Sequence, residues 1–96
     1  AKDRAAALRP CLSDGSVLVR SVAAHALGQL GDRESIPALR GLLKDENPNV
    51  RWWAVHALGE LQARETVGDV APLRDDADES VRRVAKDTVE LLRRKP

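Results

Sequence analysis

The sequence predicts an all-α fold, an α-solenoid of three antiparallel helix–turn–helix units with about six helices. The chain matches itself at an offset of 31 residues, apolar positions recur on a helical period within each copy, and no β-like alternation of useful length occurs. The copies begin at Asp14 (DGSVLVRSVAAHALGQLGDRE), Asp45 (DENPNVRWWAVHALGELQARE) and Asp76 (DADESVRRVAKDTVELLRRKP). Residues 14–44 and 45–75 share 12 identities in 31 positions, and the third copy keeps Asp76, Val81, Arg82, Ala85 and Leu92. One offset recurring twice marks duplicated structural units. A single domain over 1–96 is expected, with units near 1–31, 32–62 and 63–96.

Taken in chain order, the first helix is expected over 2–12, with Ala5, Leu8, Cys11 and Leu12 on one face. The second, over 16–30, opens on Ser16, a residue type that caps helix N-termini. It carries Val19, Val22, Ala23, Ala26, Leu27 and Leu30 as one stripe on a 3.6-residue period, and Gly31–Asp32 then break it. The third, over 33–44, carries Ile36, Leu39, Leu42 and Leu43, with Pro37 tolerated in its first turn. Asn47 caps the fourth, over 47–62, and Pro48 takes the first helical position, where its missing N–H costs nothing. Its stripe is Val50, Trp53, Ala54, Ala57, Leu58 and Leu61. The fifth, over 64–74, has Val67, Val70, Ala71 and Leu73, but Pro72 is expected to kink or shorten it. Asp78 caps the sixth, over 78–94, whose stripe is Val81, Val84, Ala85, Val89 and Leu92.

Composition narrows the function classes. A net charge of +1 provides no global attraction for nucleic acid or membranes. The basic residues Arg82, Arg83, Lys86, Arg93, Arg94 and Lys95 follow an acidic run at Asp69, Asp75, Asp76, Asp78 and Glu79, which argues against a phosphate-binding face. The single cysteine, Cys11, excludes an intramolecular disulfide and a cysteine-based zinc site, and reads as a small core residue. No apolar run approaches the roughly 20 residues of a membrane span, and no signal peptide is recognisable. A soluble protein of a reducing, cytoplasmic compartment is therefore expected. A chain opening on Ala1 rather than Met reads as a processed product or a fragment.

The pattern D-x5-R followed by A-x2-A-L-G-x-L, as in Asp45 to Arg51 and then Ala54, Ala57, Leu58, Gly59 and Leu61, resembles HEAT repeats. The short period and the ALG signature are most similar to the phycobilisome-lyase type, and the resemblance covers nearly the whole chain. It implies a right-handed superhelix with the first helices outside and the second helices lining a concave face. It also implies a ladder between units, which maps here onto Asp14, Asp45 and Asp76 with Arg20, Arg51 and Arg82. An acid at a helix start and an arginine one turn along suit such bonding, because the guanidinium is a rigid fork of donors. These six residues are assigned to architecture.

Trp52 is the leading functional candidate. One residue beyond a position is a rotation of about 100°, so Trp52 is expected to point away from the stripe that holds Trp53, toward the concave surface. Exposed tryptophan is a favoured binding anchor. The expected contact face comprises Trp52, Val55, His56, Ser21, Ala24, His25, Arg83, Lys86 and Glu90. His25 and His56 are repeat equivalents that could bind a metal from adjacent helices, with Glu60 one turn from His56, but duplication produces such equivalence without any need for a metal. Some HEAT-like enzymes, the deoxyhypusine hydroxylases, hold a di-iron centre through His-Glu dipeptides, and this chain has none. No metal or cofactor is expected. No Ser-His-Asp, Cys-His or Gly-rich phosphate loop can be assembled. The expected function is thus a non-catalytic scaffold binding a protein or peptide, with self-association as one form of partner. The alternatives are a subunit or fragment of a bilin lyase-like or other HEAT-containing enzyme or, less well supported by charge, a nucleic-acid-binding module.

Overall fold

Capping chemistry fixes where each long helix starts. The computed structural model describes residues 2–94, so Lys95 of the basic tail lies outside the described residues. Ser16 Oγ accepts from the Val19 amide at 3.3 Å, Asn47 Oδ1 from the Asn49 amide at 2.8 Å, and Asp78 Oδ1 from the Val81 amide at 3.0 Å. The helices that follow are α2 (Val17–Gln29), α4 (Pro48–Glu60) and α6 (Glu79–Arg93). The first helices of the hairpins are α1 (Lys2–Leu8), α3 (Ile36–Leu42) and α5 (Val67–Val70).

These first helices are shorter than the stripe predicts, for a local reason. Pro10 removes an amide and its ring crowds the carbonyl four residues back, so α1 passes into a 3-10 turn over Arg9–Ser13. Pro72 does the same to α5, whose continuation over Ala71–Asp75 is also 3-10. Single 3-10 turns, Arg33–Ser35 and Arg64–Thr66, lead into α3 and α5. Their buried hydroxyls are repeat equivalents: Ser35 donates to the Asp32 carbonyl and Thr66 to the Ala63 carbonyl, each at 2.7 Å.

The long helices end alike too. After α2 the chain turns through Gly31 at φ 69°, and after α4 through Gln62 at φ 51°. In both cases a later amide reaches back to a helix carbonyl (Asp32 to Leu27, Ala63 to Leu58), which satisfies an otherwise orphaned acceptor. Glycine adopts this left-handed geometry freely, whereas Gln62 does so against its Cβ.

Helices α2, α4 and α6 lie side by side with α4 in the middle, and α1, α3 and α5 pack over them as a second layer. The result is a slab of 33 × 32 × 16 Å, thin because it is two helices deep. All described regular elements are helical, and the architecture is an α-solenoid. The stripe becomes the core: Leu27, Leu39, Val50, Leu58, Val70 and Val81 are fully buried. Each such aliphatic side chain contributes about 1.5–3 kcal/mol over leaving it in water. Val22 departs from expectation. It is 55% exposed, because its equivalents Trp53 and Val84 face the preceding unit and no unit precedes α2 among the described residues.

Candidate functional site

The turn aspartates share one bonding pattern, and two of them, Asp45 and Asp76, bond in two directions. Asp14, Asp45 and Asp76 each accept the amide of the helix-capping residue two positions on, at 2.9 Å in all three units. From the preceding unit, Arg20 reaches Asp45 at 3.0 Å, and Arg51 grips Asp76 with two bonds of 3.0 Å. Each arginine also donates to the carbonyl of its own unit's aspartate, Arg20 to Asp14 and Arg82 to Asp76 at 2.8 Å and Arg51 to Asp45 at 2.7 Å. Burial alone would raise the Asp76 carboxyl, but the bonds from Arg51 and the Asp78 amide outweigh it and hold the carboxyl below its usual range. The ladder has two open ends: among the described residues no arginine reaches the Asp14 carboxylate and no carboxylate of a following unit meets Arg82.

A second set of rungs, not anticipated from the pattern, ties the outer layer. Arg9 bonds Asp32 with two contacts of 2.8 and 2.6 Å, Arg33 pairs with Glu65 at 2.9 Å, and Arg40 pairs with Asp69 at 2.8 Å. The bond from Arg9 pulls the Asp32 carboxyl down. The Arg33/Arg64 and Glu34/Glu65 identities at the repeat offset carried this signal. Arg9 and Asp32 did not, since their pairing depends on how the layers meet.

The expected contact face divides. Ser21 is 7% exposed, and Ala24 and Val55 are fully buried, so none presents surface to a partner. Their face of each long helix is the one turned toward the next unit. Gly28, on that face of α2, approaches Ala57 so closely that a Cβ there would lie 3.0 Å from the Ala57 Cα. A Cβ on Gly59, on the same face of α4, would lie 3.3 Å from Thr88 Cγ2. On α6 the equivalent positions are Arg83, Lys86 and Glu90, all exposed because no described unit follows. Among the described residues the charged partner of Arg83 is Glu79, 3.0 Å away and one turn back, with both side chains largely in solvent.

Trp52, Trp53, His25 and His56 come together as an aromatic cluster across α2 and α4. Trp52 stacks on His56 with centroids 5.1 Å apart, meets Trp53 edge-on at 4.7 Å, and Trp53 packs on His25 at 4.6 Å. Trp52 is half-buried rather than projecting freely, and it lines a groove of about 210 Å³ with Ser80, Arg83, Val84 and Asp87 of α6. His56 Nε2 lies 3.5 Å from Glu60 Oε1 one turn along.

Sequence reasoning missed the opposite end of the slab. Leu18 is 71% exposed and, with Val22, lines an apolar groove of about 240 Å³ completed by Leu8, Cys11, Val19 and Ala23. The signal was Leu18 itself, an apolar residue where the other copies have Asn49 and Ser80. No helix among the described residues is long and apolar enough to cross a membrane.

Stacked hairpins, interlocked turns and an open end face define an α-helical repeat protein. A family profile for HEAT repeats matches residues 5–91, and the chain belongs to the HEAT-repeat family. Among solved structures, it is similar to human deoxyhypusine hydroxylase in complex with glycerol, at 30% identity and a TM-score of 0.82. That alignment covers 92% of this chain and 31% of the hydroxylase, so the chain spans less than a third of that protein's length. No curated protein matches the sequence at a significant level.

Proposed function

We propose that the chain is a non-catalytic protein-interaction scaffold whose principal docking surface is the end face formed by α1 and α2. The observation that supports this most is the coincidence of exposed Leu18 and Val22 with the Asp14 carboxylate. Large apolar groups grouped in one groove mark interaction sites in folded proteins. Beside them, Asp14 stands where Asp45 and Asp76 each hold an arginine of a neighbouring hairpin. The occupant that fits is a helical hairpin of a partner protein that lays an apolar helix on Leu18 and Val22 and brings an arginine to Asp14. The charged outer positions of α6 (Arg83, Lys86 and Glu90) fit this surface poorly, which disfavours head-to-tail stacking of copies. The accessible edge of Trp52 with His25, His56, Arg83 and Lys86 is a second contact in this reading. The 31-residue period supports the phycobilisome-lyase-type subtype, and the lone thiol of Cys11 supports a cytoplasmic setting.

The test is partner capture with wild type, Leu18→Arg, Asp14→Ala and Trp52→Ala, repeated with the purified partner. Binding should fall by about tenfold or more for Leu18→Arg, as for a central anchor, and fall also for Asp14→Ala. Equal affinity for Leu18→Arg would remove the end face from the proposal. A dimer of the purified chain abolished by Leu18→Arg would make the occupant a second copy.

A further inference from the structure

We infer that His25, His56 and Glu60 form a binding site for one divalent transition-metal ion of the zinc type, bridging α2 and α4. Each offers one ligand atom, and these atoms all lie within 4.8 Å of one another. An ion with bonds of about 2.1 Å holds tetrahedral ligands about 3.4 Å apart. His56 Nε2 and Glu60 Oε1 are already at 3.5 Å. The remaining closure is at most about 1.4 Å, within the reach of side-chain rotation.

The close helix approach brings these groups together. Gly28 has no Cβ, so α4 comes close enough that the Glu60 carboxylate lies over the α2 backbone, with Oε1 3.0 Å from where a Cβ would stand. His25, three residues before Gly28, is thereby set opposite His56, with ring centroids 6.3 Å apart. His25 Nδ1 is buried without a hydrogen-bond partner among the described residues, so none of their bonds competes for it. The His56 and Glu60 side chains are each about one-third exposed, which leaves an entry path from solvent. Two imidazoles and a carboxylate suit zinc-type ions rather than magnesium or calcium, which prefer all-oxygen shells. Three protein ligands leave at least one coordination position for water or a ligand atom.

The two tryptophans provide the readout, because Trp52 stacks on His56 and Trp53 packs on His25. Chain without a histidine tag is titrated with Co²⁺ while tryptophan fluorescence and visible absorbance are followed, and Zn²⁺ is then added in excess. Quenching should saturate at one equivalent, with absorbance bands of a nitrogen–oxygen site, and Zn²⁺ should restore the fluorescence. His25→Gln and His56→Gln should each weaken binding by about tenfold or more. Zn²⁺ should raise the Tm of wild type, since it binds only the folded arrangement, and raise the Tm of both variants clearly less at the same concentration. Glu60→Gln repeats the test at a surface carboxylate if a histidine variant loses its helical circular dichroism. Non-saturating quenching, or wild-type affinity in His25→Gln, would reduce the cluster to aromatic packing and a His56–Glu60 contact within one helix.

Discussion

Arg51 shows at one residue how the units are joined. Its guanidinium bonds both Asp76 oxygens of the next unit and the carbonyls of Asp45 and Glu46 in its own, with only 14% of the side chain exposed. Arg51→Ala therefore strands a largely buried carboxylate, and urea unfolding should show a loss of about 2–3 kcal/mol. Arg83→Ala removes a pair that is mostly in solvent and should change stability by less than about 0.5 kcal/mol. Comparable losses in the two variants would contradict this ranking. The same carboxylates set the acid response. Asp76 and Asp32 have folded values below their unfolded ones, so the unfolded chain binds more protons as acid is added. Their contribution is complete above the unfolded carboxylate range, about pH 4–5, and is lost as pH falls through the lower folded values. Asp76→Asn should flatten the acid limb of a stability–pH curve; an unchanged limb would show that Asp76 is not strained toward ionisation by Arg51.

Helix packing at the scale of an element turns on two glycines with opposite environments. Gly28 faces the Ala57 backbone with no room for a methyl group, while nothing lies within 4 Å of a Cβ on Gly41 in α3. Gly28→Ala should cost about 1–2 kcal/mol despite alanine's better helix propensity, because α2 and α4 must part. Gly41→Ala should gain about 0.5–1 kcal/mol by restricting the unfolded chain. Thermal melts of the two variants shifting in the same direction would contradict the close approach. The long helices were legible in sequence because capping, periodicity and the 31-residue offset agree in α2, α4 and α6. Proline position was only half legible. Pro72 announced the truncation of α5, whereas Pro10 ended α1 where a good apolar stripe promised a full helix.

Across the whole molecule, the two ends differ in chemistry. At the α1–α2 end Leu18 and Val22 are open to solvent, while the α6 end presents Arg83, Lys86 and Glu90. A helical wheel distinguishes a core stripe from a polar face, but it does not separate a concave surface from a seam between units. Ser21, Ala24 and Val55 were therefore read as surface and are instead seam. Trp52, His25 and His56 were singled out by residue type, and Glu60 follows His56 by one turn of the same helix, yet the meeting of His25 with that pair needed the close approach at Gly28. The central claim is that neighbouring units are coupled by the aspartate–arginine rungs as well as by the buried stripe. A double-mutant cycle on Arg51→Ala and Asp76→Asn, read by urea unfolding, tests it most directly. Coupling on the order of 1–2 kcal/mol is expected, and additive effects with no coupling would contradict it.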